Sequence, residues 1–548
     1  MFSLAVRSFM VLGLLFALLF GVLFALLTVG LVEVDAPLSL ALIVAVAFAG
    51  IQFAISPLII QWIHKIDWRP VDTVDPDIAR TIRSVCQERR IREPRFGLIH
   101  DGNPNAFTFG HYPGNARVVV TTGLLEVCDR QQREAVVAHE MGHIIHWDFV
   151  VMTVAATVPL VLYYIYRFGM RASRGRRKDG GAVLLVALAA FVAYLISQYI
   201  VLLLSRTREY YADAFSAHST RDPNALATGL VKIAYGLARA QPAEQTEQAR
   251  GREPALAGMK PFGIFDAKFG QAMALATAGS YGVAAEHASR EVAVDAMKWD
   301  IWNPWAFFVE LGSTHPLPAK RIRALGRLSA ALGQVPAYEI PDRPPESYWD
   351  EFLVDLGMAY LPWAGLVAGM IVGAIFGFGQ QMWLTAAGCA LLGLGLGMLA
   401  KMAFVYPRGR FTDRQVRSLV GEIDVSAVRP IPSRLRGIVI GRGIPGLYWG
   451  DDLVVQDDTG FMLMQYRQPQ GILEFLFGLF RAESFIGQQV IAEGWYRRAP
   501  VPYLELWKVY LPSGEIHTCH DWAFSLMLAV FVTGAGFLAA MLGLLASV

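Results

Sequence analysis

Arg130 to Asp148 read RQQREAVVAHEMGHIIHWD, and the run His139-Glu140-Met141-Gly142-His143 inside that stretch decides how the rest of the chain is read. Histidines four apart lie on one helical face about a turn apart, so both imidazoles can reach one ion. Glu140 projects beside them toward a water on that ion. This is the zincin arrangement, in which zinc is the expected metal. The competing reading is a pair of unrelated histidines on a helix surface, and it weakens if a third ligand exists.

A catalytic zinc takes three protein ligands and keeps an open position for water. Ser205 to Asp213 read SRTREYYAD, with Glu209 and Asp213 four apart on one face of the helix that continues an apolar run. Glu209 is the candidate third ligand. Asp213, one turn on, can accept the outer ring N–H of a ligand histidine and so fix its tautomer. Alone, Arg206, Arg208, Glu209 and Asp213 would read as a solvated helix end beside a membrane span. Beside the two-histidine motif, the ligand reading is the stronger one.

The solvent for much of the chain is a membrane. Of 548 residues, 54% are hydrophobic and 17% charged, and the mean hydropathy is +0.40, too apolar for a soluble protein of this size. A net charge of +2 gives no basic excess, so no nucleic-acid partner is expected. Cys86, Cys128, Cys389 and Cys519 are scattered without paired spacing and read as ordinary thiols. Six apolar runs reach the ~20 residues a span requires: Phe9–Val32, Leu38–Ile60, Ala182–Leu204, Met358–Phe378, Trp383–Val405 and Trp522–Val548. A shorter seventh, Phe149–Tyr166, is either a thin span or half of a membrane hairpin. The first run is too long for a signal-peptide core and is expected to stay as an anchor.

The expected organisation follows from these runs. Residues 1–61 hold two membrane helices, 62–148 the first part of an α+β peptidase domain with the zinc helix, and 149–204 two membrane helices or a hairpin. Residues 205–355 hold its second part with the third ligand, 356–407 two spans, 408–521 a β-rich domain, and 522–548 a last span. Within 62–148 the pattern predicts a helix over Pro76–Arg90, strands near Phe96–His100, Ala106–His111 and Arg117–Thr122, and a long helix from Arg130. Between 205 and 355, regularity is lost through Gly251–Phe265 and from Val335 to Pro345. The β-rich region shows short strands at Gly437–Gly441, Asp452–Gln456, Phe461–Tyr466 and Gln489–Trp495, with Asp457-Asp458-Thr459-Gly460 as a tight turn. It resembles a small oligonucleotide/oligosaccharide-binding (OB-like) barrel, which does not fix a function.

The two-histidine helix followed by Arg208-Glu209-Tyr210-Tyr211-Ala212-Asp213 resembles the integral membrane gluzincins that include the heat-shock protease HtpX and the CAAX prenyl protease. Further matching segments are Pro104-Asn105-Ala106-Phe107, Val119 to Leu125, and Ser313-Thr314-His315-Pro316 with Lys320-Arg321-Ile322. The likeness covers residues 62–330 and leaves 408–548 outside it. It implies a zinc metalloendopeptidase with His139, His143 and Glu209 on the metal, Glu140 as catalytic base, His315 near the reaction centre, and Asn105, Ala106 and Phe107 lining a substrate strand. Polypeptide or membrane-protein substrates and a role in membrane-protein quality control follow by the same resemblance. A CAAX-type processing protease is the rival within the enzyme class, and a silent scaffold that keeps its zinc is the rival outside it. A transporter is disfavoured, because the spans carry almost no charged residues besides Lys401.

Charge flanks set the expected topology. Arg7 precedes the first run and His64, Lys65 and Arg69 follow the second, whereas the Glu33–Asp35 turn between them is acidic. The positive-inside rule then puts the peptidase region in the cytoplasm, at a bacterial inner membrane. Arg167, Arg171, Arg174, Arg176, Arg177 and Lys178 disagree, since two full crossings would put them outside. Because His143 and Glu209 must meet, an even number of crossings separates them. Three other features read as structural. His517-Thr518-Cys519-His520 has no second ligand pair, His146 is out of phase with the histidine pair, and Gly441-Arg442-Gly443 lacks a phosphate-loop context.

Overall fold

The computed structural model describes residues 10–15, 17–19, 22, 50–51, 53–175, 180–235, 290–341, 344, 346–376, 382–407, 409–499 and 501–546. The two N-terminal runs lie largely outside these residues, as does the irregular Gly251–Phe265 segment.

The peptidase core begins with a four-stranded sheet. Its strands are β1 (Asp67–Trp68), β2 (Arg95–Ile99), β3 (Ala106–Phe109) and β4 (Arg117–Thr121), in the order β1-β2-β4-β3. Only β2 and β4 are parallel, and β3 pairs with β4 antiparallel, leaving β3 at the sheet edge. Val118, Val119 and Val120 are buried on both faces of β4, which makes it the hydrophobic spine of the sheet. Helix α1 (Pro76–Arg89) precedes β2. Asp75 caps it by accepting from the Asp77 and Ile78 N–H groups, Pro76 occupies its first turn, and Arg90 ends it in the left-handed conformation. Helix α2 (Arg130–Ile145) starts on a reciprocal cap between Asp129 and Gln132 and buries most of its second half.

Two long helices then form an antiparallel hairpin, α3 (Asp148–Gly175) and α4 (Gly180–Thr220). At 28 residues α3 is longer than the sequence pattern suggested, because the arginines from Arg167 onward continue the helix beyond the apolar stretch. The 41 residues of α4 make a rod of about 60 Å, roughly twice the hydrocarbon thickness of a bilayer. Its C-terminal part therefore leaves the apolar layer and enters the peptidase core. Three further helices complete that core: Pro223–Tyr235, α5 (Arg290–Trp302) and α6 (Pro318–Ala331).

Helices α7 (Trp349–Phe376) and α8 (Met382–Val405) form a membrane pair that the C-terminal helix joins. Gly365 and Gly369 of α7 lie directly against the backbone of α8 at Gly393 and Cys389, the close approach that small residues permit between membrane helices. Five helices among the described residues are long and apolar enough to cross a bilayer. The protein is an integral membrane protein.

The β-rich region is a closed five-stranded barrel. Its strands are β5 (Ile431–Arg442), β6 (Leu453–Gln456), β7 (Phe461–Gln465), β8 (Gln489–Arg498) and β9 (Pro502–Tyr510). They close in the order β5-β6-β7-β9-β8-β5 with β7 and β9 parallel, and α9 (Gly471–Phe480) lies between β7 and β8. This is the OB topology. The Asp457 carboxylate accepts from the Thr459 and Gly460 N–H groups and so shapes the tight turn read between β6 and β7. The last element, α10 (Asp521–Leu545), returns to the membrane.

The barrel is docked on the peptidase core at two places. Arg498, fully buried, pairs with the fully buried Asp300 at 2.9 Å and donates to the Val420 and Ala296 carbonyls. On another side, Asn103 Nδ2 donates to the Arg442 carbonyl at 2.8 Å, in the loop just before β3. The four cysteines are free, three of them buried.

Candidate metal centre

Three elements converge at the end of α2. Gly142 lets α2 approach α4: a Cβ there would stand 3.1 Å from the Ala212 Cα and 3.3 Å from the Phe215 Cβ. That close crossing brings Glu209 against the histidine pair. His139 Nε2 and His143 Nε2 are 3.2 Å apart, His143 Nε2 is 3.4 Å from Glu209 Oε1, and His139 Nε2 is 3.6 Å from Glu209 Oε2. Ligands at ~2.0–2.1 Å around a tetrahedral ion stand about 3.3–3.4 Å from one another, so the spacing matches that geometry. Among the described residues, these three form the one group of at least three His, Cys, Asp or Glu side chains with metal-binding spacing.

The outer ring atoms show why a cation belongs there. His139 Nδ1 lies 3.0 Å from Asp213 Oδ1 and His143 Nδ1 lies 2.6 Å from Asp148 Oδ2. Each carboxylate holds a proton on Nδ1, which turns a lone pair on each Nε2 toward the same point. Two facing lone pairs and a carboxylate repel unless a positive charge sits between them. Charge gives the same answer: Glu140, Asp148, Glu209 and Asp213 are buried beside Arg208 and Arg321. With the two histidines neutral, as metal ligands must be, four carboxylates against two guanidinium groups leave negative charge that a metal cation offsets.

Asp148 and Arg321 were given no role from sequence. Trp147, at φ 60°, reverses the chain between α2 and α3 and folds Asp148 back over His143. Arg208 holds Asp148 in turn and also donates to the His146 carbonyl. Arg321, on α6, grips Asp213 with a fork of 2.9 and 2.6 Å and lies 3.1 Å from Glu209 Oε2. Its position five residues after Pro316 was visible, but which carboxylate it meets depends on a contact across 108 residues.

His315 stands with Nδ1 3.0 Å from Glu209 Oε2, so it faces the carboxylate of the candidate third ligand. Its loop is fixed where the His315 N–H donates to Ser313 Oγ. Glu140 is buried, and burial pushes its pKa up against the opposing pull of His143 and His139, with Thr108 of β3 hydrogen-bonded to it. The edge strand thus lies directly beside Glu140. Ala106 and Phe107 pair with Val120 and Val119 of β4. The Phe107 ring packs toward His64 and Phe109, and Asn105 is pinned through its backbone to Thr121. Burial works against charging His139, but hydrogen bonds to Asp213 and Glu209 outweigh it and push its pKa up to about 9 in the metal-free protein. His143 is also raised: burial opposes, while Glu209 and Asp148 prevail. His146 caps the end of α2 with its ring against Tyr211 and Phe215, away from the cluster.

A family model for peptidase family M48 matches residues 72–329, the span that carries every residue of this cluster. The protease HtpX homolog of Methanothermobacter thermautotrophicus is 34% identical over 251 residues, covering 46% of this chain and 92% of that protein. The chain belongs to peptidase family M48. The protease HtpX homolog 2 of Methanosarcina acetivorans, 32% identical over 230 residues, covers 40% of this M48 chain and 76% of its own length. The crystal structure of S. mikatae Ste24p aligns over 41% of this chain and 58% of that one at 18% identity, with a TM-score of 0.27. The M48 match stops at residue 329, before α7, so the α7–α8 pair, the barrel and α10 are additions to the family's matched region.

Proposed function

We propose that this M48 protease is a zinc-dependent membrane endopeptidase acting on extended polypeptide, membrane proteins included, with its site facing the cytoplasm. The observation that carries the reading is the trio of His139, His143 and Glu209 at tetrahedral spacing, with both outer ring nitrogens held by carboxylates. A zinc ion held there would bring the pKa of a bound water toward neutrality and polarise the scissile carbonyl.

The remaining chemistry belongs to the chain. Glu140 takes the proton of the attacking water and delivers it to the leaving amine, a task suited to a carboxylate whose pKa is raised by burial. Asp213 and Asp148 keep Nε2 of each histidine turned inward, and Arg321 fixes Asp213 and Glu209 together. His315, with Nδ1 3.0 Å from Glu209 Oε2, is placed to donate a ring N–H to the developing oxyanion. The open edge of β3 holds substrate backbone by strand addition, which selects extended chain over particular side chains. That breadth supports a role in clearing misfolded membrane proteins. The basic flank His64, Lys65 and Arg69 supports the cytoplasmic orientation.

The test is metal content together with casein cleavage by the detergent-purified full chain, before and after dipicolinate. Stoichiometric zinc and activity lost with chelation and restored by zinc are expected. Full activity in metal-free protein would end the proposal.

A further inference from the structure

The boundary between barrel and membrane holds a cavity of about 980 Å³ that the peptidase reading does not use. Its bilayer-side wall is Leu399, Met402 and Ala403 from the end of α8 and Leu526 from the start of α10. Both helices leave the apolar layer at this level, so the wall is continuous with lipid chains. The opposite wall belongs to the barrel. Trp495 of β8, Trp507 of β9 and Trp522 of α10 line it with ring centroids 6.4 Å apart pairwise. Aromatic side chains of this kind settle at headgroup depth, where one end is apolar and the other wet.

Two further observations point to what sits between these walls. Among the described residues no carboxylate lines the cavity, while Arg410 and Arg434 do. Arg434 is shared with Glu493 at 2.6 Å, but Arg410 is exposed and has no ion pair among the described residues. Trp495 is 5% exposed, and its indole N–H has no hydrogen-bond partner. A buried donor left without an acceptor costs about 1–3 kcal/mol, so a small shift of this wall residue that brings its N–H to an acceptor in the cavity is favoured. The site thus offers an apolar floor open to the bilayer, an aromatic rim, an unpaired cation and an unmet donor.

We propose that this cavity binds one anionic phospholipid, with its phosphate near Arg410 and the Trp495 N–H and its acyl chains along α8 and α10. The site is separate from the metal centre and stands whether or not zinc is the metal.

The test is native mass spectrometry of the full chain released from detergent with dioleoyl-phosphatidylglycerol, with dioleoyl-phosphatidylcholine, or with glycerol 3-phosphate alone. One phosphatidylglycerol is expected to stay bound in preference to phosphatidylcholine. Arg410→Ala should lower that retention roughly fivefold, the weight of one cation beside an anionic headgroup. Trp495→Phe should lower it too, and Arg417→Ala, which removes an exposed charge elsewhere on the barrel, should not. Equal retention of the two lipids, or an Arg410→Ala protein that holds phosphatidylglycerol as the wild type does, would overturn the proposal. So would Arg410-dependent binding of glycerol 3-phosphate alone, which would make the cavity a site for soluble phosphate esters, or an equal loss in Arg417→Ala.

Discussion

Replacing Asp213 separates the orientation of a ligand from the packing of the site. Asp213 has two partners: it accepts from His139 Nδ1 at 3.0 Å and from the Arg321 fork at 2.6 and 2.9 Å. Asp213→Asn keeps the shape and one acceptor but withdraws the charge that anchors the His139 proton. Removing an outer partner of a ligand histidine typically costs 10- to 100-fold in metal affinity, or about 1.4–2.7 kcal/mol. Asp213→Ala loses that and more, because Arg321, 6% exposed, is left with Glu209 as its remaining anion. Breaking a buried ion pair costs about 3–5 kcal/mol, so this variant should also unfold at lower temperature. Glu209→Ala removes a proposed ligand outright and should purify with little zinc. Zinc competition with a chromophoric chelator measures the first quantity, and thermal unfolding in detergent the second. If Asp213→Asn binds zinc within about threefold of wild type, the Nδ1 contact does not orient His139 and the reasoning fails. Stoichiometric zinc in Glu209→Ala would place the third ligand elsewhere.

Further outcomes are expected from the same geometry. Glu140→Gln should keep its zinc and lose proteolysis by several orders of magnitude, because the carboxylate is the proposed base and not a ligand; unchanged turnover would remove it from the mechanism. Zinc must displace the proton that Asp213 and Glu209 hold on His139 up to about pH 9, so that proton alone should make apparent affinity climb about tenfold per unit below 9 and level off above. The sign for stability is opposite: the raised pKa stabilises metal-free protein below 6.5, and that contribution is lost as pH rises through about 9, which a melting series with and without zinc would show. Arg498→Met leaves Asp300 buried without its cation, at a cost of about 3–5 kcal/mol read from thermal unfolding, and an unshifted melt would show the barrel contact to be dispensable. A cysteine at the exposed Gln87 should resist a membrane-impermeant thiol reagent in intact cells and react after permeabilisation, the reverse placing the peptidase core outside.

The parts that follow local rules were legible in the sequence. The capped helix at Pro76, strands β2 to β4 and helix α2 fall within a few residues of their patterns, since each depends on a nearby cap or on alternation that short-range sterics enforce. The histidine spacing and Glu209 were legible for the same reason, because helical phase is local. Asp148 and Arg321 were not, as their roles come from a left-handed turn and from a contact between distant helices. Strand β9 was missed because Glu505 and Lys508 interrupt its apolar pattern, and the Glu505 charge is buried where Arg497 of β8 meets it at 2.6 Å and the Tyr406 hydroxyl donates to it at 2.7 Å. Helix α9, ten residues of mostly apolar sequence, carries no cap signal and could not be told from a strand by periodicity.

The helix that delivers Glu209 begins 29 residues earlier, at Gly180, without a break. Membrane span and proposed metal ligand therefore share one helical phase. Each residue of a helix turns the next by about 100° and advances it ~1.5 Å, so a single insertion within the apolar part would swing Glu209 away from the histidines and Asp213 away from His139 together. A loop in that place would absorb such a change. A continuous helix cannot, and so the length of this span is constrained by the chemistry at its far end as tightly as by the thickness of the bilayer.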